Sequence, residues 1–454
     1  MSVFQIKKGK DINLAGKAAK EIEAISLPPN VALRPSDFRG FRPRVLVKPE
    51  DIVKVGTPVL EDKDHPEIKI VSPVSGKVAA VNRGEKRVLL DVVIVPDGKQ
   101  EALPFKSYPA ERTETLARHE IIEHLLAGGV WPCIRQRPFL RIANPRQTPK
   151  AVFVQGMNTE PLALDVDVIL QGREKEFQVG LDILAKLTKG GVHLCVSPQA
   201  QSRALLQSKR VSFHQFYGPH PAGNVSTHIH HIDPINKGDL VWYIRAEDVL
   251  RVAHLFLKVA FSPERFVAVT GEGADNRNYK KTVIGAPITH LLRKTPTTEM
   301  RCISGSILAG TEVGPDGYVG FYDSQITVLP RGGQRELLGW LWPGFSKYSF
   351  SRTFASVLKG NREVSLDTDK HGSDRAIVLN HVYDQYVPLD IMTYFLIKAV
   401  LAGDIEEAER LGILECDEED FALCTFACPS KVDVGGIIRS GLDVIEKDEL
   451  GSAH

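Results

Sequence analysis

Cysteine is scarce in this chain. Six residues in 454, at positions 133, 195, 302, 416, 424 and 428, are too scattered for a disulfide framework. Long apolar runs are missing as well. The richest stretch, Val387 to Ala402, is broken by Asp390 and Lys398, so no spanning helix is expected. The lysines between Met1 and Gly16 have no apolar core behind them, which argues against a secretory signal. Neither charge sign is in surplus. With 57 Lys and Arg against 56 Asp and Glu, the net charge of +1 argues against a nucleic-acid binder. A Walker-type loop and a Gly-x-Ser-x-Gly elbow are both absent, and no nucleophile is paired with a base at readable spacing. These absences point to a soluble, cytoplasmic, reducing setting. They leave room for a chain held on a membrane complex through protein contacts.

What is present divides the chain by texture. Hydrophobic content of 43% and charged content of 25% are ordinary for a globular protein, and the length suits two to four domains. Up to about residue 105 the runs Val53–Leu60, Ile68–Val81 and Val88–Val95 lie between Gly and Pro breaks and predict a small all-β unit. Its phrasing resembles a biotinyl/lipoyl-type barrel-sandwich. Lys63, in Asp62-Lys-Asp-His-Pro66, lacks the setting of a modified carrier lysine, so the unit reads as scaffold. Thr115 to Leu126 is amphipathic and stops at Gly128-Gly129; Arg135 to Pro149 reads as a linker or packed loop. Val152–Val154, Val192–Val196 and Phe266–Thr270 suit a buried parallel sheet, with helical periodicity over Leu181–Leu187, Gln201–Leu206 and Ala246–Val259. Residues 280–345 read as a β-rich module with one short helix near Ile288–Arg293, and the remainder, from about 385, as mostly helical.

Four features invite chemistry. Cys424-Thr-Phe-Ala-Cys428-Pro429 matches the second half of a C-x2-C-x2-C-x3-C-P cluster run, but Glu418 and Phe421 stand at its first two positions. Two buried, apolar-like cysteines are the plainer alternative. His228 and His230 would share one face of a strand and could hold zinc or copper; Asp233 is the nearest further ligand, and histidines bonding backbone groups are the alternative. Gly271-Glu-Gly273 follows a strand, yet Asn276 stands where a dinucleotide fingerprint needs Gly or Ala, so a tight turn is favoured. Two Arg/aromatic loops complete the set. Arg34, Phe38, Arg39, Phe41 and Arg42 lie in one; Trp131, Arg135, Arg137 and Phe139 lie in the other. Rings with nearby guanidinium donors suit a planar carbonyl-bearing ligand, and also a protein–protein interface, which is the favoured reading.

The ordered set Gly56-Thr-Pro-Val-Leu-Glu-Asp-Lys63, Val81-Asn-Arg-Gly-Glu-Lys-Arg-Val88, Arg137-Pro-Phe139, Gly218-Pro-His-Pro-Ala-Gly223, Thr227-His-Ile-His230, Ile303-Ser-Gly-Ser306, Gly339-Trp-Leu341 and Leu423-Cys-Thr-Phe-Ala-Cys-Pro429 resembles the A subunits of the sodium-translocating NADH:quinone oxidoreductase, the Nqr complex. The likeness runs from about residue 3 to 448 and extends to the Rnf complex C subunit. It implies an α/β and α+β multidomain fold: a barrel-sandwich unit (1–105), a Rossmann-like α/β domain (106–280), a β-grasp-like SLBB module (281–345) and a C-terminal helical domain carrying a degenerate iron–sulfur motif (346–454).

The same resemblance implies a peripheral subunit on the cytoplasmic side of the bacterial inner membrane. Its partners would be the other five subunits of the complex, chiefly an integral-membrane one. The complex uses NADH, flavins, iron–sulfur centres and ubiquinone; this chain is expected to bind no cofactor of its own. Quinone contact, attributed to this subunit in the family, would fall on the nine Arg and aromatic residues named above. An active flavin or iron–sulfur dehydrogenase subunit, and a pure assembly scaffold, stand as alternatives.

Overall fold

The computed structural model describes residues 1–106, 108, 115–333, 339–360, 362–378 and 381–451. Val31–Leu33, Ile52–Val53, Gly76–Arg83 and Leu89–Pro96 form one small sheet, and Pro43–Val45, Pro58–Asp62 and Lys69–Val71 form a second. Alternation along these strands turns Val78, Val92 and Ile94 inward, where they are fully buried beside Val59 and Leu60. The hairpin tip is tied down by Asp62, which accepts from the Arg42 and Asp64 backbone N–H groups, leaving Lys63 exposed.

The second layer is a seven-stranded sheet. Its parallel centre runs in the spatial order Ser212–Tyr217, Val192–Val196, Val152–Gly156, Val241–Arg245. The chain steps outward through the first three of these strands and then returns to the other side of Val152–Gly156. Strand order therefore reverses between Val152–Gly156 and Val241–Arg245, the place where open α/β sheets form a ligand crevice. Helices Glu174–Ala185 and Ala246–Lys258 pack together on this sheet. Arg135–Pro149 is more than a linker. Arg135–Arg137 pairs antiparallel with Val241–Arg245 and extends the sheet, and across this ladder the Trp242 indole donates to Gln136 Oε1 at 3.2 Å.

One strand expected in this sheet leaves it. Glu264–Thr270 belongs to a six-stranded sheet with Asn278–Val283, Gln325–Pro330, Met300–Ser304 and Thr311–Val313. A short apolar run cannot announce which sheet it joins. Its partner Asn278–Val283 lies just beyond the turn at Gly271, whose φ of +92° places it in the left-handed region. Tyr318–Tyr322 forms only an isolated bridge to Pro287, because it wraps the sheet end instead of pairing along it.

The N-terminal segment stitches these layers together. Ser2–Gln5 adds a parallel strand to the seven-stranded sheet, and Ala19–Ala24 adds one to the six-stranded sheet. Beyond residue 381 the helices Thr393–Ala402, Ile405–Arg410, Ala422–Ala427 and Val434–Gly451 pack around Leu396, Phe421, Ile438 and Leu442. No helix among the described residues is long and apolar enough to cross a membrane.

Candidate functional site

The half cluster run sits inside the helical unit. Cys416, Cys424 and Cys428 are all buried. The Tyr383 hydroxyl is 3.0 Å from Cys428 Sγ, and Cys424 Sγ donates to the Tyr383 carbonyl at 3.7 Å. Burial pushes the Cys424 thiol well above its usual range, with Asp384 adding to the effect. Phe421 is fully buried and Glu418 is ion-paired to Arg39. Among the described residues no three His, Cys, Asp or Glu side chains gather as a metal site.

The acidic run just ahead of these cysteines carries the densest electrostatics of the chain. Asp417 and Asp420 close a capping box on the turn Glu418–Phe421, which holds both carboxylates in fixed directions. Arg137, fully buried, enters from the edge strand of the seven-stranded sheet. Its Nη1 lies 2.6 Å from Asp417 Oδ2, and its Nη2 donates to Ser226 Oγ at 2.6 Å and to the Glu415 carbonyl at 3.1 Å. Asn224 Nδ2 donates to Asp420 Oδ1 at 3.0 Å. Burial, together with Asp417 and Asp420, pushes the Glu419 carboxyl up to about 8, against the opposing pull of Arg135 and Arg137.

The histidines expected on a strand lie on a helix instead. Val225–Ile232 is helical because Val225, Ile229 and Ile232 recur at helical spacing on its packed side. His228 is fully buried, with Nε2 3.0 Å from the Ala222 carbonyl, and burial drives its pKa down to about 3. His230 Nδ1 donates to Glu415 Oε2 at 2.6 Å while its Nε2 accepts from Asp390 N–H at 3.1 Å. His230 thus serves the contact between the α/β layer and the helical unit, while His228 packs on Phe216 within the α/β layer.

At the strand-order reversal the neighbouring β module bonds the loops that leave the sheet, while a cavity of about 1010 Å³ lined by Gly156, Asn158, Glu160, Ser197 and Gln201 opens beside it. Ser306 Oγ donates to Glu160 Oε1 at 2.6 Å, Gln325 Nε2 donates to the Pro161 carbonyl at 3.1 Å, and Arg245 donates to the Tyr322 carbonyl. The Gly271 turn is likewise engaged, its N–H donating to the Gly16 carbonyl at 2.9 Å.

The nine Arg and aromatic residues separate into three groups. Phe38 and Phe41 are buried, and Phe38 packs on Phe321 and Tyr322 at ring separations of 4.8 and 5.7 Å. Arg135 joins this cluster, with its guanidinium 4.4 Å from the Tyr322 ring and 4.6 Å from that of Tyr243. Arg34 lies alongside, paired to Asp37 at 3.0 Å; burial raises the Asp37 carboxyl to about 6 despite that partner. The second group faces the helical unit: Arg39 pairs with Glu418, Arg137 with Asp417, and the Phe139 carbonyl accepts from Arg439 at 3.3 Å. The third group stands apart. Arg42 pairs with Asp64 at the hairpin tip, and Trp131 donates to the Ala143 carbonyl at 2.7 Å while meeting Trp242 edge-on at 5.4 Å. None of the nine lines the cavity of about 640 Å³ beside Arg173 and His254, or that of about 1010 Å³ beside Asn158 and Gln201.

Asp417, Asp420, Tyr322, Tyr243 and Glu160 were not singled out by sequence. The run Asp417-Glu-Glu-Asp420 was the available signal, since acidic residues crowded ahead of buried cysteines need basic partners from elsewhere.

Comparison with known proteins agrees with this architecture. Residues 4–97 match the NqrA N-terminal barrel-sandwich hybrid domain, 116–261 the NqrA second alpha/beta domain and 266–314 the NQRA C-terminal domain. The A subunit of the Na(+)-translocating NADH-quinone reductase of Yersinia pestis bv. Antiqua (strain Angola) is 39% identical over 449 residues, covering 98% of this chain and all of that protein. Its counterpart from Aliivibrio salmonicida (strain LFI1238) is 39% identical over 448 residues with the same coverage. Among solved structures, an air-oxidized NAD+-reducing NiFe-hydrogenase covers 74% of this chain and 63% of its own at 11% identity, with a TM-score of 0.39, too distant to argue from. The barrel-sandwich, the α/β layer, the SLBB sheet and the full-length match to these relatives together place this chain in the family of Na(+)-translocating NADH-quinone reductase A subunits.

Proposed function

We propose that this chain is a peripheral subunit of a sodium-pumping NADH:ubiquinone reductase, carrying no redox group itself and held on the cytoplasmic face by an integral-membrane partner. The contacts made at the strand-order reversal support this reading. Beside the place where an open α/β sheet forms its crevice, Glu160, Pro161 and Arg245 are bonded to Ser306, Gln325 and Tyr322 of the adjoining β module. The cysteines of the half cluster run are engaged with Tyr383, inside a packed helical core. In this reading the Arg and aromatic loops join domains, and their role is to fix the relative placement of four packed units.

The test is assembly. Membranes carrying the remaining subunits should show low NADH:quinone reductase activity without this chain and regain it on addition of the purified protein. Unchanged activity with and without the chain would refute the proposal. Quinone contact makes a separate demand: a saturable change in Trp131 or Trp242 fluorescence on quinone titration of the isolated chain. Both indoles are fully buried and touch one another, so the packing supports the junction role.

A further inference from the structure

The segment 339–360 departs from the rest of the molecule. It contains Trp340, Trp342, Phe345, Phe350 and Phe354, three basic residues (Lys347, Arg352 and Lys359) and no acidic residue. Three of its aromatics, Phe350, Phe354 and Tyr348, which packs on Phe350 and Phe426, face inward. Phe350 packs on Tyr386 and Phe426 at ring separations of 5.2 and 4.9 Å, and Phe354 lies under Gly344. The Ala355 N–H donates to the Pro343 carbonyl at 2.8 Å, closing 343–355 into a compact excursion rooted on the helical unit. The apolar side chains around that closure are turned out. Trp342 is 68% exposed, Leu341 62%, Phe345 56% and Leu358 82%.

An exposed indole and three other large exposed apolar side chains within one 22-residue segment are costly on a soluble surface, and such a concentration marks an interaction site. The surrounding charge chooses the partner. Trp and Phe with Lys and Arg, and no acid among them, suit the headgroup layer of an anionic bilayer: rings enter the interface while cations meet phosphate. Two short helical turns, Gly339–Leu341 and Ala355–Lys359, with no long helix between them, also suit shallow seating.

We propose that residues 339–360 form a lipid-contacting loop that seats Leu341, Trp342, Phe345 and Leu358 in the headgroup region of an anionic membrane. This deepens the peripheral-subunit reading and rests on it only for the identity of the membrane.

The experiment uses the purified full chain with vesicles of phosphatidylcholine, with and without phosphatidylglycerol, and follows flotation and tryptophan emission. Trp131 and Trp242 are fully buried, so a blue shift with protection from iodide reports on the indoles of this segment. The proposal expects salt-sensitive flotation with phosphatidylglycerol vesicles, weakened at least about tenfold in W342S/F345S/L358S and severalfold in R352Q/K359Q. Unchanged far-ultraviolet dichroism and melting would confirm that the variants fold. The absence of any flotation, or equal flotation by the wild type and both variants, would overturn it. Binding only to membranes that carry the other subunits, with none to pure lipid, would also overturn it in favour of a protein interface, leaving the subunit reading intact. Lipid binding without restoration of reductase activity would support the loop and count against the subunit reading.

Discussion

Arg137 and Asp417 meet at 2.6 Å with both side chains withdrawn from solvent, one on the edge of the seven-stranded sheet and the other at the cap of the turn before Cys424. Removing one partner strands a buried charge. Arg137→Met leaves Asp417 and Asp420 without their principal cation and should lower unfolding stability by about 3–5 kcal/mol in urea titrations. The double variant R137M/D417N should lose less than the sum of the single losses. Strict additivity would show that the pair is not coupled.

The buried thiols make a chemical prediction. All six cysteines are buried and unbridged. Native protein should therefore react slowly with a disulfide reagent such as DTNB and yield six equivalents only after denaturation. A fast-reacting thiol in the native state would contradict the packing around Tyr383.

Acid and base act on the fold through different groups. His228 has its pKa lowered from 6.5 to about 3, so the native state binds fewer protons than the unfolded chain between those values. Its contribution to stability is present above pH 6.5 and is lost as pH falls through that window. Glu419 is raised from 4.5 to about 8, so the native state holds the extra proton and stability falls as pH rises from 4.5 to 8. The two oppose each other between pH 4.5 and 6.5. Glu419→Gln should flatten the decline between pH 6.5 and 8, by up to about 1.4 kcal/mol per pH unit for one proton. Thermal melts across that range would show it, and an unchanged slope would rule it out.

The N-terminal stitch should be sensitive at Gly16. Its φ is +97°, and a Cβ there would overlap the Gly271 backbone. Gly16→Ala should cost at least about 2 kcal/mol through left-handed strain and overlap, seen as earlier proteolysis of the first residues.

Much of this organisation was readable in advance because it rests on local patterns. Val78, Val92 and Ile94 alternate as half-buried strands do, and Ala246–Lys258 repeats at helical spacing. The stitch was not readable: Ser2–Gln5 and Ala19–Ala24 are almost wholly exposed edge strands, with no apolar rhythm to give them away. The two-residue spacing of His228 and His230 suits a strand face, but the four-residue recurrence of Val225 and Ile229 is the pattern the helix follows. The two Arg/aromatic loops were visible as composition only. A ring beside a guanidinium looks alike whether it awaits a ligand or, like Phe38 and Arg135, already shares Tyr322.

The central proposal is that this chain carries no redox group of its own, its half cluster run being held in a packed helical core. Iron, acid-labile sulfide and flavin assayed per chain in anaerobically purified protein test it most directly. The account predicts that all three fall far below stoichiometric; one flavin, or a full cluster's worth of iron and sulfide per chain, would contradict it.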